Sequence, residues 1–465
     1  MISQQVLEFG WPNYLRATHR PSLSLSNARS SWSAFSQVRY DTLADKAWLK
    51  PHFVARPLSD PWPVQQQPVM AVSSSRLLVA AGSTIYSYVF CKSNGDGVSP
   101  SVQFEASFKL GWPPSVRREI TALSFAPDGL DLTVYIGFDD GVLECASIPQ
   151  NFIQGSKNVL LDRTVEGPPK WFDHREVIVS FSAGGSTLLC LSLSGKAGLI
   201  NTLRTLPEQC TSTYLQGESV IELRARSWSS YVSIHSSTPY AAFGTSSKTP
   251  LAIHSITNTE LQSVPSAILH ANMRQATENR SSAVYGICGI PPSGPWGGSD
   301  QILVSGWYDG VVRVHDLRSS SRITLDNANP HYPAPILPVL SLYDSFSFEP
   351  IYAVACGGGS TSHIGAGTAR HSVVAFWDVR RPTQGWSVHA PGNDSSPVYS
   401  IHLESSRLFG TTQSRPFVYD FGPGVTNVTY PQISNRGGRG VNGLKSSRRG
   451  IGYYVTKYHH SHSNS

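Results

Sequence analysis

The sequence predicts an all-β protein built by repeating one hairpin unit. Composition, one sharply patterned hairpin and its recurrence along the chain carry that prediction. Of 465 residues, 40% are hydrophobic and 15% charged, with 39 Gly and 32 Pro. Ordinary domains carry ~25% charged residues. Long runs of helix-forming Ala, Glu, Lys and Leu are missing, so the balance suits short strands joined by many turns. The reference hairpin is QILVSGWYDGVVRVHDLRS, residues 301–319. Its apolar run from Ile302 reaches a tight turn at Tyr308-Asp309-Gly310, where Asp-Gly permits the positive φ angles of a hairpin. An alternating strand follows, with Val312, Val314 and Leu317 on one side and Arg313 and His315 on the other.

Residues 1–52 lie outside the repeat. Residues 38–49 are the best helical candidate, with Val38, Leu43 and Trp48 apolar and Pro51 stopping the helix. The chain upstream, around Trp11-Pro12 and Pro21-Ser22-Leu23-Ser24, reads as extended or irregular. From 53 to 422, short apolar strands arrive at even intervals. They group as 69–72, 77–81 and 85–90; 120–125, 133–137 and 142–147; 177–181, 187–193 and 197–202; 231–235, 240–244 and 251–256; 284–290, 302–306 and 311–317; 338–342, 351–356 and 372–379; and 398–403, 407–411 and 417–421. A fourth, outer strand is clear only at 101–110. Seven such units predict a seven-bladed β-propeller. The last unit has no outer strand of its own, so ring closure is expected to borrow residues 53–58, which removes a free edge. Residues 423–465 carry too little apolar surface to offset ordering entropy and read as a disordered basic Gly/Arg/Ser/His tail, with 451–455 expected to dock as a strand.

Repeat spacing fits either WD or kelch units, and phasing decides between them. The Gly-Gly doublets at 184, 297 and 357 fall in unlike places, whereas SFAPDG (residues 124–129), the second-turn Asp-Asp-Gly and Tyr-Asp-Gly, and FWDVR (residues 376–380) recur in phase. On these motifs the chain resembles WD-repeat proteins, with Asp140 and Asp309 at the family's turn position. More narrowly, Gly10-Trp11-Pro12-Asn13-Tyr14-Leu15-Arg16, Val38-Arg39-Tyr40-Asp41, Trp48 and the run from Arg76 to Gly82 resemble fungal F-box/WD-repeat proteins. That resemblance implies a substrate-recognition subunit of a cullin–RING ubiquitin ligase. The F-box is not visible in the ten residues before Trp11. An adaptor would therefore be a Skp-type protein reached through an upstream F-box, or a DDB-type protein reached through a WDxR box. Trp377, Asp378 and Arg380 match that box, and Asp316 and Arg318 form a degenerate copy. The bland reading pairs each Arg with its own unit's Asp and packs Trp377 between blades.

The tips before the first strands and at the second turns share one face. They carry Arg117, Arg118, Phe138, Trp307, Tyr308, Gln413 and Arg415, a composition common in binding hot spots. This face is expected to hold a protein target, with an acidic or phosphorylated segment favoured. The alternative is a non-enzymatic scaffold unrelated to ubiquitin.

No Gly-x-Ser-x-Gly elbow, P-loop or helical His-x-x-x-His pair occurs, so no enzyme is expected. No cofactor or resident metal is expected either. His459, His460 and His462 at the terminus read as adventitious donors. Six scattered cysteines, no signal-peptide pattern and no long apolar run point to the reducing cytoplasm or nucleus, with neither a membrane nor a specific nucleic acid as partner.

Overall fold

β-Branched and aromatic runs separated by Gly-, Ser- and Asp-containing turns form antiparallel sheets along the whole chain. The computed structural model describes residue 20 and residues 22–92, 95–113, 115–126, 131–165, 176–202, 217–278, 280–290, 299–319, 333–392, 394–433 and 451–461. Strands dominate, and helices are few.

The first sheet runs Val69–Val72, Arg76–Ala81, Thr84–Phe90, Val102–Lys109, with Ser156–Leu160 added in parallel. The second orders Ile120–Phe125, Thr133–Phe138, Leu143–Ser147 and Asp162–Val165, and the third Ile178–Gly184, Thr187–Ser192, Lys196–Asn201 and Gly217–Glu222. A nine-stranded sheet follows. Its two meanders begin at Arg226–Ser233 and Ser282–Gly289 and are joined where Ser246 and Ser247 pair with Ala283 and Ser282. Ile351–Gly357, His363–Thr368, Val373–Asp378 and Gln384–His389 form the next sheet. In the last, Val54–Pro57 pairs with Pro416–Asp420, beside Arg407–Thr411 and Ser400–Leu403. The expected borrowing of an N-terminal strand is therefore observed, with Val54 opposite Asp420 and Pro57 opposite Phe417.

The opening strands of these meanders lie side by side in chain order. Residues 69–72 pack on 120–125, 120–125 on 178–184, 178–184 on 226–233, 226–233 on 282–289, 282–289 on 351–357, and 351–357 on 400–403; 400–403 also touches 69–72. Small residues permit this approach. A Cβ on Gly306 would sit 2.6 Å from Ile351 Cγ2, and Gly137, Gly244 and Gly367 meet Ile178, Val284 and Val398 in the same way.

Four expectations need correcting. Leu340–Tyr343 is the outer strand of the meander starting at Ser282, not the first strand of the next. Residues 357–370, read as a loop, contain the strand His363–Thr368; its HIGAGT sequence is wholly buried between two partners, where glycines suit close packing. The face bearing Arg313 and His315, read as the polar side, is buried too, because the neighbouring meander covers it. The tail, expected to be disordered, is ordered where it is described: Tyr430 is buried and Pro431 O accepts from Arg56 Nη2 at 3.0 Å, Lys457–Ser461 pairs with Gln384–His389, and 451–455 docks beside the borrowed strand, with Tyr453 N–H donating to Ala55 O and Arg56 Nη1 donating to Ile451 O at 2.9 Å. The rest of the tail at 434–450 and 462–465 lies outside the described residues.

At the N-terminus, the expected helix begins earlier, at Ala34–Leu49, because Ser33 caps it and accepts from Ser36 N–H. Leu23–Leu25 and Ser26–Arg29 are helical turns rather than extended chain. The segment at 10–16 lies outside the described residues.

Candidate functional site

In an antiparallel meander the turn between second and third strands lies at one end, and the first–second and third–fourth turns lie at the other. The N-terminal helix occupies the second end. Its Trp48 donates to Ser405 O at 2.9 Å, Tyr40 reaches Ser406 Oγ at 2.9 Å, and Trp48 lies against His363. The first end is free of the helix, and a repeated irregularity shapes it.

In five meanders the register breaks near the start of the opening strand, leaving one residue bulged: Thr121, Val179, Trp228, Tyr285 and Tyr352. Tyr399 holds the corresponding place before Ser400, its N–H donating to Thr411 O at 3.0 Å. A bulge frees one residue from the ladder and re-aims its side chain. Three successive bulged residues, Trp228, Tyr285 and Tyr352, are aromatic, as is Tyr399 in the corresponding place, and their rings meet. Trp228 and Tyr285 lie 5.1 Å apart, Tyr285 and Tyr352 5.1 Å, and Tyr352 and Tyr399 6.3 Å. The result is a half-buried aromatic crescent along one end of the opening strands.

The groups around it are fixed. Trp228 Nε1 donates to Ser246 Oγ at 2.7 Å, and the exposed Arg226 guanidinium stacks 4.3 Å from its ring centroid. Gln413 Nε2 donates to Tyr399 Oη at 3.3 Å, and Tyr308 extends the crescent 6.5 Å from Tyr285. Burial pushes the Tyr285 and Tyr399 phenols above their ordinary pKa.

Of the residues expected on this face, Tyr308 is 60% exposed and Gln413 touches the crescent. Arg117 is exposed beside a cavity of about 520 Å³ lined by Gln66, Lys109 and Trp112. Arg118 lines the same cavity, but Asp140 at 2.5 Å and Glu144 at 3.4 Å pair its charge while Trp112 stacks beneath it. Three expectations fail. Phe138 and Trp307 are fully buried, because neighbouring meanders cover both faces of a second strand, and Arg313 stacks on Trp307 at 4.9 Å. Arg415 is buried near Asp394 and Asp60, and burial lowers its pKa. Asp140 and Asp309 stabilise their turns, accepting from Val142 N–H at 3.2 Å and Val311 N–H at 3.3 Å.

The two Asp-x-Arg ends lie at the opposite, helix-bearing end and share one geometry. Arg318 Nε and Nη2 bond Asp316 at 2.9 and 2.8 Å; Arg380 Nε and Nη2 bond Asp378 at 2.9 and 2.7 Å. Each carboxylate is held below its ordinary range; for Asp316 the Arg318 hydrogen bond is the chief cause, while for Asp378 the Arg380 bonds outweigh an opposing burial effect. Trp377, expected at an adaptor surface, is buried beside His460, so it cannot touch an adaptor in this arrangement. Arg380 shares a small cavity with Asp45, Trp48 and Leu49 of the helix.

The crescent itself was missed from sequence. Its signal was an aromatic near the start of four successive opening strands, hidden because bulges displace it from the two-residue period. Cys288 and Cys356, scattered in sequence, meet at 3.5 Å between Sγ atoms. Among the described residues no three His, Cys, Asp or Glu side chains form a metal-binding group; His460 lies 3.9 Å from Asp344, and His462 is outside the described residues.

Comparison with protein-family models and with curated proteins gave no match to this chain.

Proposed function

We propose that the chain is a seven-bladed β-propeller of the WD-repeat kind, a non-catalytic interaction module that holds a protein partner on its aromatic crescent. The propeller reading is supported by opening strands that contact one another in sequence and return from 400–403 to 69–72, and by the borrowed strand Val54–Pro57. The crescent of Trp228, Tyr285, Tyr352 and Tyr399 is the observation that carries the functional reading. Half-exposed Tyr and Trp with an adjacent Arg supply large rigid contact area at low entropic cost. In the ubiquitin-ligase setting implied by the sequence resemblance, the crescent would hold the target and the opposite face the adaptor. No described helix is long and apolar enough to cross a membrane.

A photo-crosslinking residue in place of Tyr308 tests the reading, with the same residue in place of the exposed Phe35 on the helix face as control. Discrete adducts specific to position 308 are expected. Adducts only at position 35, or at neither, would remove the crescent as the partner site.

A further inference from the structure

We infer that the crescent receives an extended, proline-rich segment of its partner, with an acidic residue where that segment passes Arg226. This deepens the proposal above and rests on the crescent being the partner face. Three observations narrow the occupant.

The first is spacing. Successive rings stand 5.1, 5.1 and 6.3 Å apart, so alternate rings are separated by at most about 10 Å from Trp228 to Tyr352 and about 11 Å from Tyr285 to Tyr399. A polyproline II helix has three residues per turn and rises ~3.1 Å per residue, repeating every ~9 Å. Residues three apart in such a segment fall over alternate rings.

The second is hydrogen bonding. A polyproline II backbone has no internal hydrogen bonds and presents carbonyls to its surroundings. Tyr285, Tyr352 and Tyr399 border the crescent with phenols, which carry their proton at neutral pH and can donate it. Rings that pack prolines and hydroxyls that donate to carbonyls are the chemistry of a polyproline groove.

The third is charge. The Trp228 face already carries the Arg226 guanidinium at 4.3 Å, so a second cation there meets like charge. Two carboxylates of the neighbouring turns are already engaged, Asp309 by Arg313 at 2.8 Å and Glu349 by His371. A lysine or methylated lysine therefore meets like charge at Trp228, whereas Arg226 offers a carboxylate a two-pronged partner.

An array of proline-rich peptides with and without a glutamate, each beside its proline-to-alanine copy and a trimethyl-lysine set, tests this. Fluorescence polarisation with the full chain is the readout. The expected result is binding that requires proline and is strongest with the glutamate. Tyr352→Ala should weaken it about tenfold, the scale of losing one aromatic anchor. Arg226→Gln should leave proline dependence but remove the preference for glutamate, and Tyr308→Ala, at an exposed position, guards against a folding defect. Equal binding of the alanine copies, or preferential binding of trimethyl-lysine, overturns the inference. Crosslinks at position 308 without any proline-dependent binding sink this inference alone and leave the partner face standing.

Discussion

Trp48 on the N-terminal helix stacks on Phe421, their ring centroids 3.7 Å apart and their planes inclined by 12°. Trp48 precedes the repeat region and Phe421 lies at its end. Phe376 and Trp386 close the cluster around them. The helix thereby seals the seam where the first strand of the repeat region meets the last, and stability should depend on this contact.

Trp48→Ala removes a buried indole and its hydrogen bond to Ser405 O. A loss of about 3–5 kcal/mol is expected, as for other large-to-small core changes. Urea unfolding read by circular dichroism measures it. A loss under about 1 kcal/mol would mean that the helix is not integral to the fold.

Acid should destabilise the protein through His315 and His270. His315 Nε2–H donates to His270 O at 3.0 Å, and burial pushes both imidazoles down to about 4, with Arg313 further disfavouring the charged form of His315. The unfolded chain titrates near ~6.5 and so binds more protons than the folded chain between the two values. This stability is complete above ~6.5 and is lost as pH falls toward ~4, on the order of 3 kcal/mol per histidine. His254 and His363 shift in the same direction, so His315→Gln should flatten only part of the slope. Unfolding midpoints that do not move between neutral and mildly acidic pH would contradict the arrangement.

Gly306→Ala should be costly despite its small size. The new Cβ would press on Ile351 at 2.6 Å, at the seam between two meanders. Overpacking of this kind costs about 1–3 kcal/mol. Gly111 is the comparison, since a Cβ there meets only Leu160, at 3.8 Å. Equal melting temperatures for the two alanine variants would argue against tight packing at this seam.

If a ligase adaptor docks on the Asp-x-Arg ends, Arg318→Ala should matter more than Arg380→Ala. The Arg318 and Arg380 side chains are 55% and 49% exposed, but Arg380 shares its cavity with the helix, which leaves a partner less room there. Both pairs lie near the surface, so neither change should alter melting appreciably. Affinity purification compares recovered cullin subunits. Unchanged recovery from the double variant would exclude docking through these arms, and no cullin recovered by the native chain would leave the scaffold reading.

The expected and observed positions of particular residues differ for identifiable reasons. The hairpin at Ile302–Trp307 and Val311–Asp316 was legible because Asp-Gly and strict alternation are local signals. His363–Thr368 was not, because its glycines serve neighbouring strands and look like loop when read alone. Trp307 and Phe138 were placed on the surface because a turn tip was assumed to be open, whereas adjacent meanders cover it.

By itself, the sequence determined an all-β chain, the approximate places of its repeated hairpins and the strand borrowed by the last sheet. Period-two patterning, turn residues and the missing outer strand are properties of short stretches of chain. Only the tertiary structure decided which polar side chains are buried, which Asp and Arg residues satisfy each other, and which aromatics meet. Those outcomes depend on the register of bulges and on faces supplied by residues some fifty positions away, as Trp228, Tyr285, Tyr352 and Tyr399 do for one another.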